Sequence, residues 1–440
     1  MRAAVVVALA AFYSFAQSKP PVVFIPGLTG TELVNGKTGE KVWFKLRRVK
    51  GDDLRLPISL NIAANHDSLI PGDVIRDIKA GLLPRVDVYG GFLTALETKG
   101  GYREAKWDAP SSRGYENTVY VFAYDWRRDI VENSRLLVRK IDALKRKLRR
   151  PNLKFDIVGH SLGGLIARYA AMYGDSDLPA GGSSSSTWAG SKDINRLIII
   201  GTPNEGSPLA LRNLINGFPL LGIEIKLPFI QHLSKFDIFT IPAAFELLPA
   251  PNTLMAFDAD LNPVSIDLYD PATWTKYGWN VIDDKDFAKE YSPAEQKAAP
   301  QYLAAVLNRA KRLYQALDLP INAKTPVNIT MIGSDCKDTL DAMVLYQKKD
   351  GGWDAVFKAD SFTNPAGRKI TSEELKAKIY GPGDGIVSKR SFTAATIAEA
   401  DGVESMFPTS AISYVCEGHD KLPGNPDVQS KVLSILSGTK

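Results

Sequence analysis

Along the chain, apolar residues gather in six short runs: Val22 to Ile25, Val119 to Ala123, Phe155 to Val158, Leu197 to Ile200, Val327 to Ile332 and Ile412 to Val415. Most are continuous rather than alternating, which marks strands covered on both faces in a parallel sheet. Between several of them the period lengthens. Leu137, Ile141, Leu144 and Leu148 recur at helical spacing before Pro151, and Leu165 to Met172 supplies another helix. Strand alternating with helix predicts an α/β architecture, a mostly parallel central sheet covered by helices on both faces. From Thr202 to Pro326 the pattern changes to proline-punctuated apolar stretches such as GFPLLGIEIKLPFIQHL and FTIPAAFELLPAP. An insertion this long inside a sheet protein predicts a cap or lid, about residues 206–320, with helices of its own, set in one domain spanning 17–440.

The first sixteen residues stand apart. Arg2 precedes an apolar stretch from Ala3, with small residues at Ser14 and Ala16 where a signal peptidase reads, so residues 1–16 are expected to be a signal peptide and the protein to be exported, periplasmic or secreted. A formal net charge of +5 over 440 residues is too mild to imply a nucleic-acid partner. The basic run 139–150, RKIDALKRKLRR, reads as the solvated side of an outer helix rather than a lipid-contact patch. GGSSSSTWAG, 181–190, has the composition of a surface loop. Only two cysteines occur, Cys336 and Cys416, both just beyond strand-like runs that would be neighbours. An exported chain has the means to pair them; two separate buried thiols are the alternative.

The chemistry gathers around FDIVGHSLGGLIARYAAMYG, 155–174. Gly159, Ser161 and Gly163 form G-x-S-x-G between a strand and a helix, the context in which a serine is held on a sharp turn with its hydroxyl exposed. That hydroxyl needs a base. Of the four histidines, His160 adjoins the serine, His66 precedes it and His232 falls in the expected cap. His419, after the last strand-like run, fits the serine–acid–histidine chain order of this arrangement. The acid is expected at Asp384 in YGPGDGIVS, with Asp335 as the competing choice. An oxyanion needs two preorganised donors, assigned to the backbone N–H of Leu162 and, in the loop after the first strand, of Leu28. This chemistry requires no metal or organic cofactor: the histidines show no close-spaced ligand pair, and neither GLTG nor GPGDG carries a phosphate-loop ending.

Taken together, VVFIPGLTGTEL, FAYDWRRD at 122–129, GHSLGG, IIIGTPNEGS at 198–207, GDGIVS and CEGHD resemble the lecithin:cholesterol acyltransferase-like branch of the α/β-hydrolases, in the family's order and over most of the chain. The resemblance implies the α/β-hydrolase fold and acyl transfer from a lipid ester, with Ser161, Asp384 and His419 as the matching triad. It also implies that Tyr124, Asp125, Trp126 and Arg127 line or brace the substrate pocket. The expected function is a lipid ester hydrolase or O-acyltransferase acting on phospholipid or acylglycerol esters at a membrane or lipid-aggregate surface, the acyl acceptor being water or an alcohol. A general carboxylesterase and a non-catalytic lipid-binding scaffold are the alternatives.

Overall fold

The structure, a computed structural model, describes residues 19–45, 52–79, 85–110, 114–179, 186–218, 232–319, 323–394 and 408–438. The leader expected over 1–16 and parts of the serine-rich loop and of GFPLLGIEIKLPFIQHL lie outside them.

All six apolar runs become neighbours in one sheet. Its strands are β1 (Val22–Ile25), β2 (Arg103–Glu104), β3 (Thr118–Val121), β4 (Phe155–His160), β5 (Ile194–Ile200), β6 (Asn328–Gly333) and β7 (Ala411–Tyr414). Across the sheet they lie in the order β7-β6-β5-β4-β1-β3-β2, and every pairing is parallel. Continuous apolar runs are what such a sheet requires, because alternate residues of each strand bury on opposite faces. Val22 and Phe24 pack with Phe92, Leu96, Val428 and Val432, that is, against α1 (Gly90–Thr98) and a C-terminal helix at Pro426–Ser437. Val23 and Ile25 face the other way, into a cluster with Leu137, Ile141, Leu165 and Ile166 from α2 (Ile130–Leu148) and α3 (Leu162–Tyr173).

Among the described residues, three of the seven cations in the basic run 139–150 pair with the protein's own acids. Arg139 bridges Glu132 and Asp175, Lys145 is buried on Asp193, and Lys147 meets Asp108.

Between β5 and β6 the chain forms α4 (Pro208–Asn216), short helices at Lys235–Phe239, Pro242–Phe245, Pro271–Lys276 and Phe287–Glu290, and the long α5 (Pro293–Leu317). The end of α5 is tied to the core rather than held apart. The Tyr173 hydroxyl donates to Ala316 O at 2.8 Å, and the buried Arg168 guanidinium donates to Leu317 O at 2.9 Å. A second, four-stranded sheet joins Met255–Phe257 and Pro263–Val264 from this stretch to Ala342–Gln347 and Trp353–Val356 beyond β6. Its strands are two to six residues long, and only Ala342–Gln347, AMVLYQ, carries a continuous apolar run. Cys336 and Cys416, just past the paired β6 and β7, form a disulfide. Closing a ring with a sequence separation of 80 removes chain entropy from the unfolded state, worth about 4.5 kcal/mol in the chain-entropy model.

Candidate active site

The ends of β1, β4 and β7 meet at the C-terminal edge of the sheet, where open α/β sheets place their sites. β4 runs into Ser161, the residue before α3, at φ 53° and ψ −124°, a conformation that costs about 1–3 kcal/mol for a residue with a side chain. The turn is locked by Ser161 N–H donating to Ile200 O at 2.8 Å and Gly164 N–H donating to Ser161 O at 2.9 Å. The flanking glycines are there for space. A Cβ on Gly159 would stand 2.7 Å from Gly163 O, and one on Gly163 would stand 2.4 Å from Ile25 O. Strand, helix and neighbouring strand therefore close around the serine only without those carbons.

The serine hydroxyl lies 2.9 Å from His419 Nε2, and His419 Nδ1 lies 2.7 Å from Asp384 Oδ2. The residues come from positions 161, 384 and 419, so the fold brings together the three groups selected in the sequence. Asp384 sits at the end of a strand, Tyr380–Gly383, that pairs with Lys337–Leu340 in a ribbon outside the central sheet. Its Oδ1 accepts from Ile386 N–H at 2.9 Å and Val387 N–H at 2.7 Å, and its carbonyl accepts from His419 N–H at 2.9 Å. Asp335, the competing acid, pairs instead with Lys389 at 3.1 Å. His66 is exposed, and neither it nor His232 enters this hydrogen-bonded line.

Burial and ion pairing set the charges. Burial alone raises the Asp384 carboxyl, but the His419 ring, with help from the two backbone donors, leaves it below the ordinary carboxylate range. Burial alone lowers the His419 imidazole, and the Asp384 carboxylate more than offsets it, leaving that imidazole above its ordinary value. His160 has no such partner: burial, then the neighbouring His419, push it down to about 3, so it stays neutral.

The loop after β1 reaches over the serine. Gly27 is so near that a Cβ there would meet Ser161 Cβ at 3.0 Å. Gly30 N–H donates back to Gly27 O at 3.1 Å, folding Leu28 and Thr29 into a tight turn, with Thr29 at φ 62°. Leu162 is the first residue of α3, where backbone N–H groups have no intrahelical acceptor. Leu28 thus follows Gly27 in the loop beside Ser161, and Leu162 directly follows Ser161 in the chain.

Two aromatic residues of FAYDWRRD, Tyr124 and Trp126, anchor the backbone at either end of that loop. The Tyr124 hydroxyl donates to Pro26 O at 2.8 Å and Trp126 Nε1 to Thr31 O at 3.1 Å, while Trp43 Nε1 donates to Thr29 O at 2.9 Å. Arg127, 0% exposed, forks onto Asp125 and Asp67, with contacts of 2.8 Å to each, and donates to Leu54 O at 3.2 Å. Tyr124, Asp125, Trp126 and Arg127 are 0–5% exposed; the two aromatics hold the loop backbone, while Asp125 and Arg127 form a buried ion-paired cluster with Asp67.

One contributor had no motif. The Tyr89 hydroxyl accepts from Gly27 N–H at 2.8 Å and contacts His160 Nδ1 at 2.9 Å. Only coordinates reveal it, because 62 and 71 residues separate it from these partners.

Residues 107–275 match the family model described as Lecithin:cholesterol acyltransferase, a stretch that includes FAYDWRRD, GHSLGG and IIIGTPNEGS. No curated protein matches the chain. Among solved structures, a chain of the Tle4–Tli4 complex superposes with a TM-score of 0.53 at 14% identity, covering 95% of this chain and 97% of that one. More distant likenesses are the lin2722 gene product of Listeria innocua (TM-score 0.36, 10% identity, 96% and 95% covered) and the Bacillus licheniformis lipase BlEst2 in its propeptide form (0.35, 12%, 96% and 51%). The chain has the α/β-hydrolase fold, and its resemblance to the lecithin:cholesterol acyltransferase family stands on residues 107–275.

Proposed function

We propose that the protein is a serine-dependent lipid ester hydrolase or O-acyltransferase that works through an acyl-serine. The observation that carries this reading is the unbroken line from Asp384 through His419 to the Ser161 hydroxyl, with contacts of 2.7 and 2.9 Å. His419 Nε2 takes the Ser161 proton as Oγ attacks the acyl carbonyl. The Leu28 and Leu162 amides hold the resulting oxyanion. The imidazolium then gives its proton to the departing alcohol oxygen, leaving the acyl group on Ser161, and water or an alcohol repeats the cycle in reverse. The family match over 107–275 supports a lipid ester as the acyl donor. Export is part of the proposal and rests on the leader-like residues 1–16 together with the Cys336–Cys416 disulfide, a bond suited to an oxidising compartment. The segment between β5 and β6, with its own helices, is assigned as the cap beside the entrance.

The test is incubation of purified protein with mixed phospholipids and neutral acylglycerols, with and without a long-chain alcohol, followed by mass analysis. Free fatty acid is expected, joined by new long-chain esters if the acyl-enzyme accepts alcohols. Absence of both, with no fluorophosphonate adduct on Ser161, overturns the reading.

A pH dependence follows from the raised His419 pKa. The base acts only when neutral, and a raised value keeps it protonated to higher pH, so activity is low in acid and climbs through a limb above the unperturbed 6.5. A profile of kcat/KM against pH checks this, and a limb at or below 6.5 contradicts the Asp384–His419 ion pair.

A further inference from the structure

The serine, the base and the oxyanion loop are also joined underneath by groups that the reaction itself does not use. The His419 carbonyl oxygen lies 3.2 Å from His160 Nε2. A carbonyl only accepts, so Nε2 carries the ring proton and donates it. His160 is neutral, so its Nδ1 is then a lone-pair acceptor, and the Tyr89 hydroxyl at 2.9 Å must donate to it. The same Tyr89 oxygen accepts the Gly27 N–H at 2.8 Å. The resulting chain has one direction: Gly27 N–H to Tyr89 OH to His160 to the backbone of His419. Every member is buried, Tyr89 and His160 at 4% exposure each. It fastens the peptide preceding the Leu28 amide to the backbone that carries the base, and His160 is next in sequence to the nucleophile.

We propose that Tyr89 is a positioning residue for this reaction, setting the oxyanion loop and the catalytic histidine at a fixed separation through His160. The inference rests on the serine-hydrolase reading above. Removing the hydroxyl strips Gly27 N–H of its acceptor and His160 Nδ1 of its donor, so the imidazole stays bonded to the His419 carbonyl but is no longer tied to the loop. Both ends of the site then drift, and a displacement of about 1 Å is enough to cost roughly 100-fold in rate.

Tyr89→Phe isolates the hydroxyl, because the ring still packs edge-on against Phe24 with centroids 5.2 Å apart. The variants Tyr89→Phe, His160→Phe and the double variant are compared with the natural protein on a short-chain p-nitrophenyl ester, with folded sites counted by fluorophosphonate titration. Per titrated site, Tyr89→Phe is expected to lower kcat about 10- to 100-fold with KM changed less than about threefold. The double variant is expected to be no slower than the slower single one, as for two links of one chain. If Tyr89→Phe keeps kcat within twofold per titrated site, or if the two effects multiply, the coupling is wrong even though the natural protein is titrated. If the natural protein takes no label, it is the serine-hydrolase reading that fails. Should Tyr89→Phe yield no folded protein, His160→Phe alone decides, since it cuts the same chain one link further on.

Discussion

Replacing Ser161 with alanine lowers kcat by about a million-fold and leaves the protein folded. The substitution deletes one oxygen and keeps the Cβ, so the turn between β4 and α3 is undisturbed: its backbone bonds to Ile200 O and from Gly164 N–H involve no side-chain atom. The deleted hydroxyl contacts only His419 Nε2 at 2.9 Å among the described residues, and the base remains anchored to Asp384. Melting should therefore shift by about 2 °C or less, as a change of under about 0.5 kcal/mol does in a chain of this size. The backbone strain at φ 53° persists, because alanine meets the same obstruction. What disappears is covalent chemistry. A residual rate above the uncatalysed one, roughly 10³-fold, is expected from the oxyanion amides, which the substitution does not touch. Single-turnover kinetics on a lipid ester, with fluorophosphonate labelling alongside, make the measurement. Activity within a factor of ten of the natural protein would move the nucleophile elsewhere.

How much of this was written in the residues varies with the range of the interaction. The six central strands were legible because burial on both faces forces continuous apolar runs, and the observed boundaries differ by only a few residues, as with Leu197 to Ile200 against Ile194–Ile200. The serine turn was legible because close approach demands glycine at fixed offsets. His419 emerges from a field of four histidines by chain order, and Asp384 stands ahead of Asp335 because glycines flank it and leave its carboxylate room to approach an imidazole. The edge strand Arg103–Glu104 was invisible, being two polar residues held by its neighbour Thr118–Val121 rather than by any pattern of its own. The small four-stranded sheet was missed for a related reason: it joins segments on either side of β6, so neither half is explained locally. Sequence left Tyr124 to Arg127 between lining and bracing the pocket, since nothing local says that Tyr124 bonds Pro26, Trp126 bonds Thr31 and Arg127 bonds Asp67. Tyr89 bears no signal at all, since a tyrosine before Gly-Gly at a helix start is unremarkable until Gly27 and His160 are set beside it.

The substitution Asp384→Asn is expected to cost about 10⁴-fold in kcat with little change in KM, and the reason lies in which end of the amide must face the histidine. Two backbone donors, Ile386 N–H and Val387 N–H, converge on Oδ1 at 2.9 and 2.7 Å, and that position accepts only an oxygen. An asparagine therefore seats its carbonyl oxygen there and turns its NH₂ toward His419 Nδ1, where the carboxylate Oδ2 stood at 2.7 Å. The ring answers by moving its proton from Nδ1 to Nε2. Nε2, 2.9 Å from the Ser161 hydroxyl, is then a donor and no longer a base. The loss of the carboxylate also removes the interaction that holds the His419 pKa up, so burial prevails and the acid limb of the surviving activity moves to lower pH than in the natural protein. The two readouts belong together: a large fall in kcat with the limb displaced downward identifies Asp384 as the partner of the base. A small fall, or a limb that stays in place, would mean that another carboxylate orients His419.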